Sequence, residues 1–229
     1  MAKIALITGI SGQDGAYLAK FLLKKKYRII GTVKKSPKSL YWRLVRLGIR
    51  KKITIEKMDL RSIKDINKIF KKYDFDEVYN LAAQSFVNKS FNIPINTSNI
   101  TGLGTLRILE TIKNNNKKIK FYQASSSEMF GEVLNREQSE TTHFNPQSPY
   151  AISKVFSHLI TKNYRNSYKI FATSGILFNH ESPLRGKEYV TRKIIIGLVK
   201  IYKKKLKSFQ LGNIYAKRDL GYAKEYVVA

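Results

Sequence analysis

The run KIALITGISGQDGAYLAKFLL, residues 3–23, constrains the fold more than any other stretch. A short apolar segment leads into three glycines spaced three and three, Gly9, Gly12 and Gly15. An amphipathic stretch follows, with Leu18, Phe21, Leu22 and Leu23 set to face a sheet. The first part reads as a buried strand over 3–8 and the last as a helix over 14–26. A strand that turns directly into a helix is half of a strand–helix–strand unit, and such units build parallel sheets.

The alternation continues. Strands are expected over 28–33, 53–58, 77–81, 119–125 and 170–177, and helices over 62–72, 97–114 and 150–168. Ser62 suits an N-cap, and NNNKK at 114–118 reads as a polar helix-to-strand turn. The fold class is α/β, a doubly wound parallel sheet (Rossmann fold) with the beginning of a smaller domain. Residues 1–178 would form the first unit, and residues 179–229 a partial second one interleaved with it.

The glycine turn has a chemical reading. Gly9 permits the tight turn, Gly12 lets backbone approach a pyrophosphate, and Gly15 allows close helix–sheet packing. The helix N-terminus adds N–H donors and the positive end of a dipole. A purely structural turn is the alternative. An acid at the end of the second strand would bind an adenosine ribose hydroxyl. This chain has GTVKKS there, so Lys34 and Lys35 favour a 2′-phosphate, hence NADP over NAD. Asp59 and Leu60 follow the third strand, where an adenine edge could be met. LAAQS, residues 81–85, follows the fourth with small side chains that would admit a flat dinucleotide. Both could equally be ordinary loops.

Tyr150 and Lys154 stand four apart in SPYAISK, on one face of the expected helix, with Pro149 fitting its first position. An ammonium near a phenol favours phenolate, and a phenolate can take a proton from a sugar hydroxyl as hydride leaves the same carbon. A surface Tyr with a solvated Lys is the bland alternative. The fifth strand ends QASSSEMFG, which sets Ser125, Ser126, Ser127 and Glu128 where open parallel sheets bind ligands. A simple reductase needs a hydroxyl, a Tyr and a Lys; the added carboxylate suggests a second proton transfer.

Together TGISGQDGAYLAKFLL, YNLAAQSFV, FYQASSSEMFGE, PQSPYAISK, GILFNHESPLRG, VTRKI and LGNIYAKRDLGYAKEYV resemble the GDP-mannose 4,6-dehydratases, extended short-chain dehydrogenases/reductases, over nearly the whole chain. The resemblance implies NADP as cofactor and GDP-mannose as substrate. Hydride would leave carbon 4, water would be lost across carbons 5 and 6, and hydride would return to carbon 6. The product would be GDP-4-dehydro-6-deoxymannose, the precursor of GDP-fucose. By resemblance Tyr150 is the base for the 4-hydroxyl, Lys154 tunes it and binds the nicotinamide ribose, and Glu128 is the base at carbon 5. Ser126 stands where the family has Thr. Cofactor contacts would come from Gly9, Ile10, Ser11, Gly12, Gln13, Asp14, Lys34, Lys35, Ser36, Asp59, Leu60, Leu81, Ala82, Ala83, Gln84, Ser85, His180 and Arg185. Lys34 and Lys35 replace arginines, keeping charge but losing the bidentate fork. Ser85, Asn179, Val190, Lys193 and Arg218 would join Ser126, Glu128 and Tyr150 on the GDP-sugar. Family members continue beyond AKRDLGYAKEYV, which implies a natural fragment, a split gene, a frameshift or a partial sequence. Dimers or tetramers are the implied assembly of a complete chain.

Composition narrows the rest. The formal net charge is +27, but 32 of the 43 basic residues are Lys, many beside Ile and Asn. That is the bias of AT-rich codons rather than the Arg and aromatic spacing of base readers, so no nucleic-acid partner is expected. With no cysteine and three histidines, no metal site is expected. No apolar run is long enough for a membrane span and the N-terminus is no signal peptide, so the expected location is the cytoplasm. Three other readings remain: a related epimerase or reductase, against which Glu128 and NHESP weigh; a module that binds NADP without turnover; and a basic nucleic-acid binder.

Overall fold

The computed structural model describes residues 2–34, 38–132, 137–215 and 217–229. Six parallel strands form one sheet: β1 (Ile4–Thr8), β2 (Arg28–Val33), β3 (Thr54–Lys57), β4 (Glu77–Asn80), β5 (Lys120–Ala124) and β6 (Ala172–Gly175). Their order is β3-β2-β1-β4-β5-β6, so the chain winds outward from β1 in both directions. The doubly wound parallel sheet expected from the sequence is borne out, and each observed strand lies inside its expected range, with ends that agree to within two residues.

Strand alternation sends successive side chains to opposite layers. Leu6, Ile30, Val78 and Phe121 face α3 (Ile63–Lys72), α5 (Pro94–Asn115) and α6 (Pro149–Tyr168). Ala5, Ile7 and Ile29 face α1 (Gln13–Lys24) and the short α2 (Trp42–Arg46). Ser62 caps α3, its hydroxyl accepting from the Asp65 N–H. Ser148 caps α6 in the same way through Ala151, with Pro149 at the first helical position. α5 and α6 pack closely because their shared seam carries small residues. Ser157 Oγ lies 3.3 Å from Thr105 and donates to the Thr101 carbonyl.

Sequence reading passed over α2, α4 (Val87–Asn92), and two strands near the C-terminus. These are β7 (Asn179–Glu181) and β8 (Leu220–Tyr222), a separate parallel pair of three residues each, too short to show a period. α7 (Val190–Tyr202) and the single-turn α8 (Ala223–Tyr226) complete the described elements. No helix among the described residues is long and apolar enough to cross a membrane.

Candidate active site

β1 and β4 are neighbours whose connections leave in opposite directions, and open parallel sheets bind ligands at such a reversal, beyond the strand carboxyl ends. A ladder of buried polar side chains ties these ends together. Thr8 donates to Asn80 (2.7 Å), Asn80 to Gln123 (2.7 Å), and Gln123 to the Ala124 carbonyl (2.9 Å). The same carbonyl accepts from Lys154 Nζ at 2.7 Å. The end of β1 is thereby linked through β4 and β5 to a side chain of α6. Asn80 and Gln123 stand in segments quoted above, but no role was read for either.

The glycine turn closes through the Gly12 N–H on the Gly9 carbonyl at 2.8 Å. Gly9 has φ +68°, and a Cβ there would lie 3.0 Å from the Ala82 backbone. A Cβ on Gly15 would lie 2.5 Å from the Gly9 carbonyl oxygen, so only glycine lets α1 start against the strand end. Gly12 caps α1 without a side-chain bond, which leaves the first-turn N–H groups for another acceptor.

Two cavities meet at this turn. One of about 490 Å³ is lined by Gly9, Gly12, Gln13, Asp14, Leu81, Ala83, Ser85, Ser126, Glu128, Tyr150, Lys154, Asn179, His180 and Arg185, among others. The second, of about 350 Å³, is lined by Gly9, Ser11, Lys34, Asp59, Leu60, Ala82 and Ala83, with Thr32, Val33 and Met58. Gly9 and Ala83 belong to both walls, so the cavities run on from each other across the turn. Most residues named from the sequence come together here.

Others do not. Ile10 is fully buried, its side chain against Gly31, and lines neither cavity. Gln84 turns toward α5, bonding Thr97 and the Phe86 carbonyl. Gln13 lines the wall, but its amide donates to the His180 carbonyl and accepts from Ser182. Val190, Lys193 and Arg218 lie outside both linings, and all three are exposed. Lys35 and Ser36 lie outside the described residues. Lys34 sits 3.7 Å from Asp59, which Arg61 also grips at 2.6 Å. Those hydrogen bonds from Arg61 hold the Asp59 carboxyl down at about 2, so the acid is ionised and already paired.

Tyr150 and Lys154 are 7% and 3% exposed, and the ammonium lies 5.8 Å from the Tyr150 ring centroid. The expected lowering of the phenol by Lys154 is not what protein groups alone produce. Burial pushes Tyr150 up to about 12; the neighbouring Ser126 hydroxyl pulls the other way, and Glu128 adds to the rise. Burial likewise brings Lys154 down to about 8. Desolvation is the largest cause for both groups, since each is buried almost completely beside the cavity. Ser126 also accepts from the Glu128 N–H at 3.3 Å, which sets the turn that presents the carboxylate.

Residues missed by sequence reading complete the wall: Arg43, Phe86, Asn88, Phe178, Glu188 and Tyr189. Phe86 and Phe178 lie inside the quoted YNLAAQSFV and GILFNHESPLRG segments but were given no role, and Arg43 comes from a helix that was not expected. His180 is buried, stacks on Tyr226 at 4.3 Å and lies 3.3 Å from Asp14.

A 3-2-1-4-5-6 sheet, a glycine turn and a buried Tyr–Lys pair on one helix define a short-chain dehydrogenase/reductase fold. A model of the family described as GDP-mannose 4,6 dehydratase matches residues 6–229, and the chain belongs to that family. It is 46% identical to a GDP-mannose 4,6 dehydratase of Cricetulus griseus, covering 99% of this chain and 63% of that protein. A GDP-mannose 4,6-dehydratase of Vibrio cholerae serotype O1 is 47% identical, over 98% of this chain and 62% of its own length. The chain thus spans less than two thirds of the length of these relatives. Among solved structures, a dTDP-glucose 4,6-dehydratase from Bacillus anthracis in complex with NAD superposes with a TM-score of 0.84. It shares 20% identity, with 99% of this chain and 70% of that chain covered, which speaks for the fold.

Proposed function

We propose that this chain carries the nucleotide-binding half and the reacting side chains of a GDP-mannose 4,6-dehydratase that uses NADP. The observation that supports the reading most is the joining of the two cavities at Gly9, with Tyr150, Lys154, Ser126 and Glu128 in one and Lys34 in the other. The glycine cradle fits a dinucleotide, since a Cβ at Gly9 or Gly15 would close it. Gly12 and the start of α1 would hold its pyrophosphate, and Lys34 would face the 2′-phosphate of NADP. That Asp59 is already paired with Arg61 supports NADP over NAD, because the acid that lines this cavity among the described residues is neutralised. When bound, the cofactor supplies hydride transfer and a positive ring close to Tyr150.

Tyr150 would take the proton of the 4-hydroxyl. Its phenol stands high in this pocket, and Lys154, Ser126 and the cofactor's positive ring would bring it down. Lys154, anchored on Ala124 O, would orient the nicotinamide ribose. Glu128 would remove the carbon-5 proton, made acidic by a ketone at carbon 4, and water would leave from carbon 6. Homologous assembly would give dimers or tetramers, and the product would enter GDP-fucose or related deoxysugar synthesis in the cytoplasm.

The test is single turnover with GDP-mannose. Tyr150→Phe should abolish the rise in nicotinamide absorbance by about two to four orders of magnitude in rate. Glu128→Gln should keep the rise and yield no 6-deoxy product. Product formed by Glu128→Gln at the parent rate would sink its role, and equal use of NAD and NADP would sink the cofactor choice. A second reading, binding of NADP without turnover, draws on Val190, Lys193 and Arg218 lying off the cavity wall.

A further inference from the structure

His158 has no part in the chemistry set out above, yet it stands on the reacting face of α6. Tyr150, Lys154 and His158 are spaced four and four, so the three share one side of the helix. The last two both reach the end of β5. Lys154 Nζ donates to the Ala124 carbonyl at 2.7 Å, and His158 Nδ1 lies 3.0 Å from Ser125 Oγ. In either neutral tautomer this pair makes one hydrogen bond. Burial, then the charges of Lys162 and Arg165, hold the imidazole below its usual range, so the ring is neutral in neutral solution. Phe144 meets it edge-on at 5.4 Å; Phe130 lies 5.6 Å from Phe144, and Phe178, in the cavity wall, 6.4 Å from Phe130. The imidazole is therefore packed as well as bonded.

The opposite edge of the same segment is held by β6 and the chain just after it. The Ser125 N–H donates to the Gly175 carbonyl at 2.9 Å, and the Ser127 N–H to the Leu177 carbonyl at 2.8 Å. Ser126 lies between these bonds, and the Glu128 N–H is tied to its hydroxyl. Backbone bonds along one edge act as a hinge; side-chain bonds from α6 on the other edge stop rotation about it. We propose that His158 is a positioning residue: with Lys154 it clamps the end of β5 to α6 and so sets the angle at which Ser126 and Glu128 meet a substrate. The inference rests on the function proposed above for the reaction served, and not for the clamp itself.

The experiment follows nicotinamide reduction and 6-deoxy product against GDP-mannose concentration in three variants. His158→Phe keeps a ring against Phe144 and removes the hydrogen bond. It should lower the maximal rate of product formation about 10-fold and leave the half-saturating concentration within about twofold. His158→Asn returns an amide near the place of Nδ1 and should recover to within about threefold of the parent. Ser125→Ala should match His158→Phe, and the double variant should be no slower than either, because both remove one interaction. A parent-like maximal rate in His158→Phe overturns the proposal. So does an equal loss in His158→Asn, a loss confined to half-saturation, or losses that multiply in the double variant. Should His158→Phe not fold, Ser125→Ala is read by the same criteria. A parent inert toward GDP-mannose would sink the proposed function alone, and amide exchange then decides the clamp. Exchange at 126–129 should quicken about 10-fold in His158→Phe, stay parent-like in His158→Asn and be unchanged in β1. Unchanged exchange at 126–129 in His158→Phe overturns the proposal, as does equal quickening in β1.

Discussion

Residues 1–178 and residues 179–229 solve the burial problem differently. The first stretch encloses two apolar layers, one on each face of the sheet, with Leu6, Ile7, Ile30, Ile108 and Phe121 essentially out of water. In the second, Leu184 and Ala223 are the buried apolar residues among those described, while Ile195, Leu198, Val199, Tyr222 and Val228 are exposed. The second stretch is held by contacts to the first rather than by a core of its own: Gln13 to the His180 carbonyl, Arg43 to the Leu184 carbonyl, Tyr17 against Tyr222. The C-terminal stretch borrows its order, and it borrows it at the rim of the candidate cavity, so cavity geometry and C-terminal stability are linked.

The largest contrast should appear in core truncation. Leu6→Ala should cost about 3–5 kcal/mol in urea unfolding, and Leu198→Ala on α7 less than about 0.5. A comparable loss at Leu198 would break the comparison, showing that α7 is covered in solution. Large exposed apolar patches of this kind drive association, so protein concentration belongs among the variables.

A second contrast concerns the charge buried in the sheet half. Lys154 has its folded value lowered to about 8, below the ~10.4 of an unfolded chain. Between these values the unfolded chain binds more protons, so stability rises with pH from about 8. Above about 10 the raised Tyr150 works the other way, because its unfolded value is near 10 and its folded value about 12. The parent should therefore gain roughly 2–3 kcal/mol from pH 8 to 10 relative to Lys154→Met. A difference flat across that window would mean that the ammonium is solvated.

The smallest effect tests how the C-terminal half is attached. Tyr226→Ala removes the ring stacked on His180 and should lower stability by about 0.5–1.5 kcal/mol. Amide exchange should quicken at 179–181 and stay unchanged in β1. Equal quickening in β1 would show that the two stretches unfold as one.

Much of the sheet could be read from the chain because each strand and helix declares its own period. The continuous apolar run of 3–8, the cap at Ser62 and the Ser148–Pro149 start of α6 are local signals, and the glycine turn and Tyr150–Lys154 spacing are as well. β7 and β8 were not legible, since three residues carry no period and their pairing joins positions about 40 residues apart. The roles of Arg43, Asn80 and Gln123 were equally hidden, although the last two stand in quoted segments, because those roles come from partners distant in sequence.

By itself, then, the sequence determined the α/β class, the strand ends that bear chemistry and the pairing of Tyr150 with Lys154, because backbone preference and helical spacing act over a few residues. Tertiary structure alone decided that Lys154 anchors on the Ala124 carbonyl, that Arg43 joins the glycine turn to Leu184, and that burial rather than the nearby ammonium governs Tyr150. Each of these depends on which distant groups share a dry pocket, and desolvation is set by the whole surrounding packing rather than by neighbours along the chain.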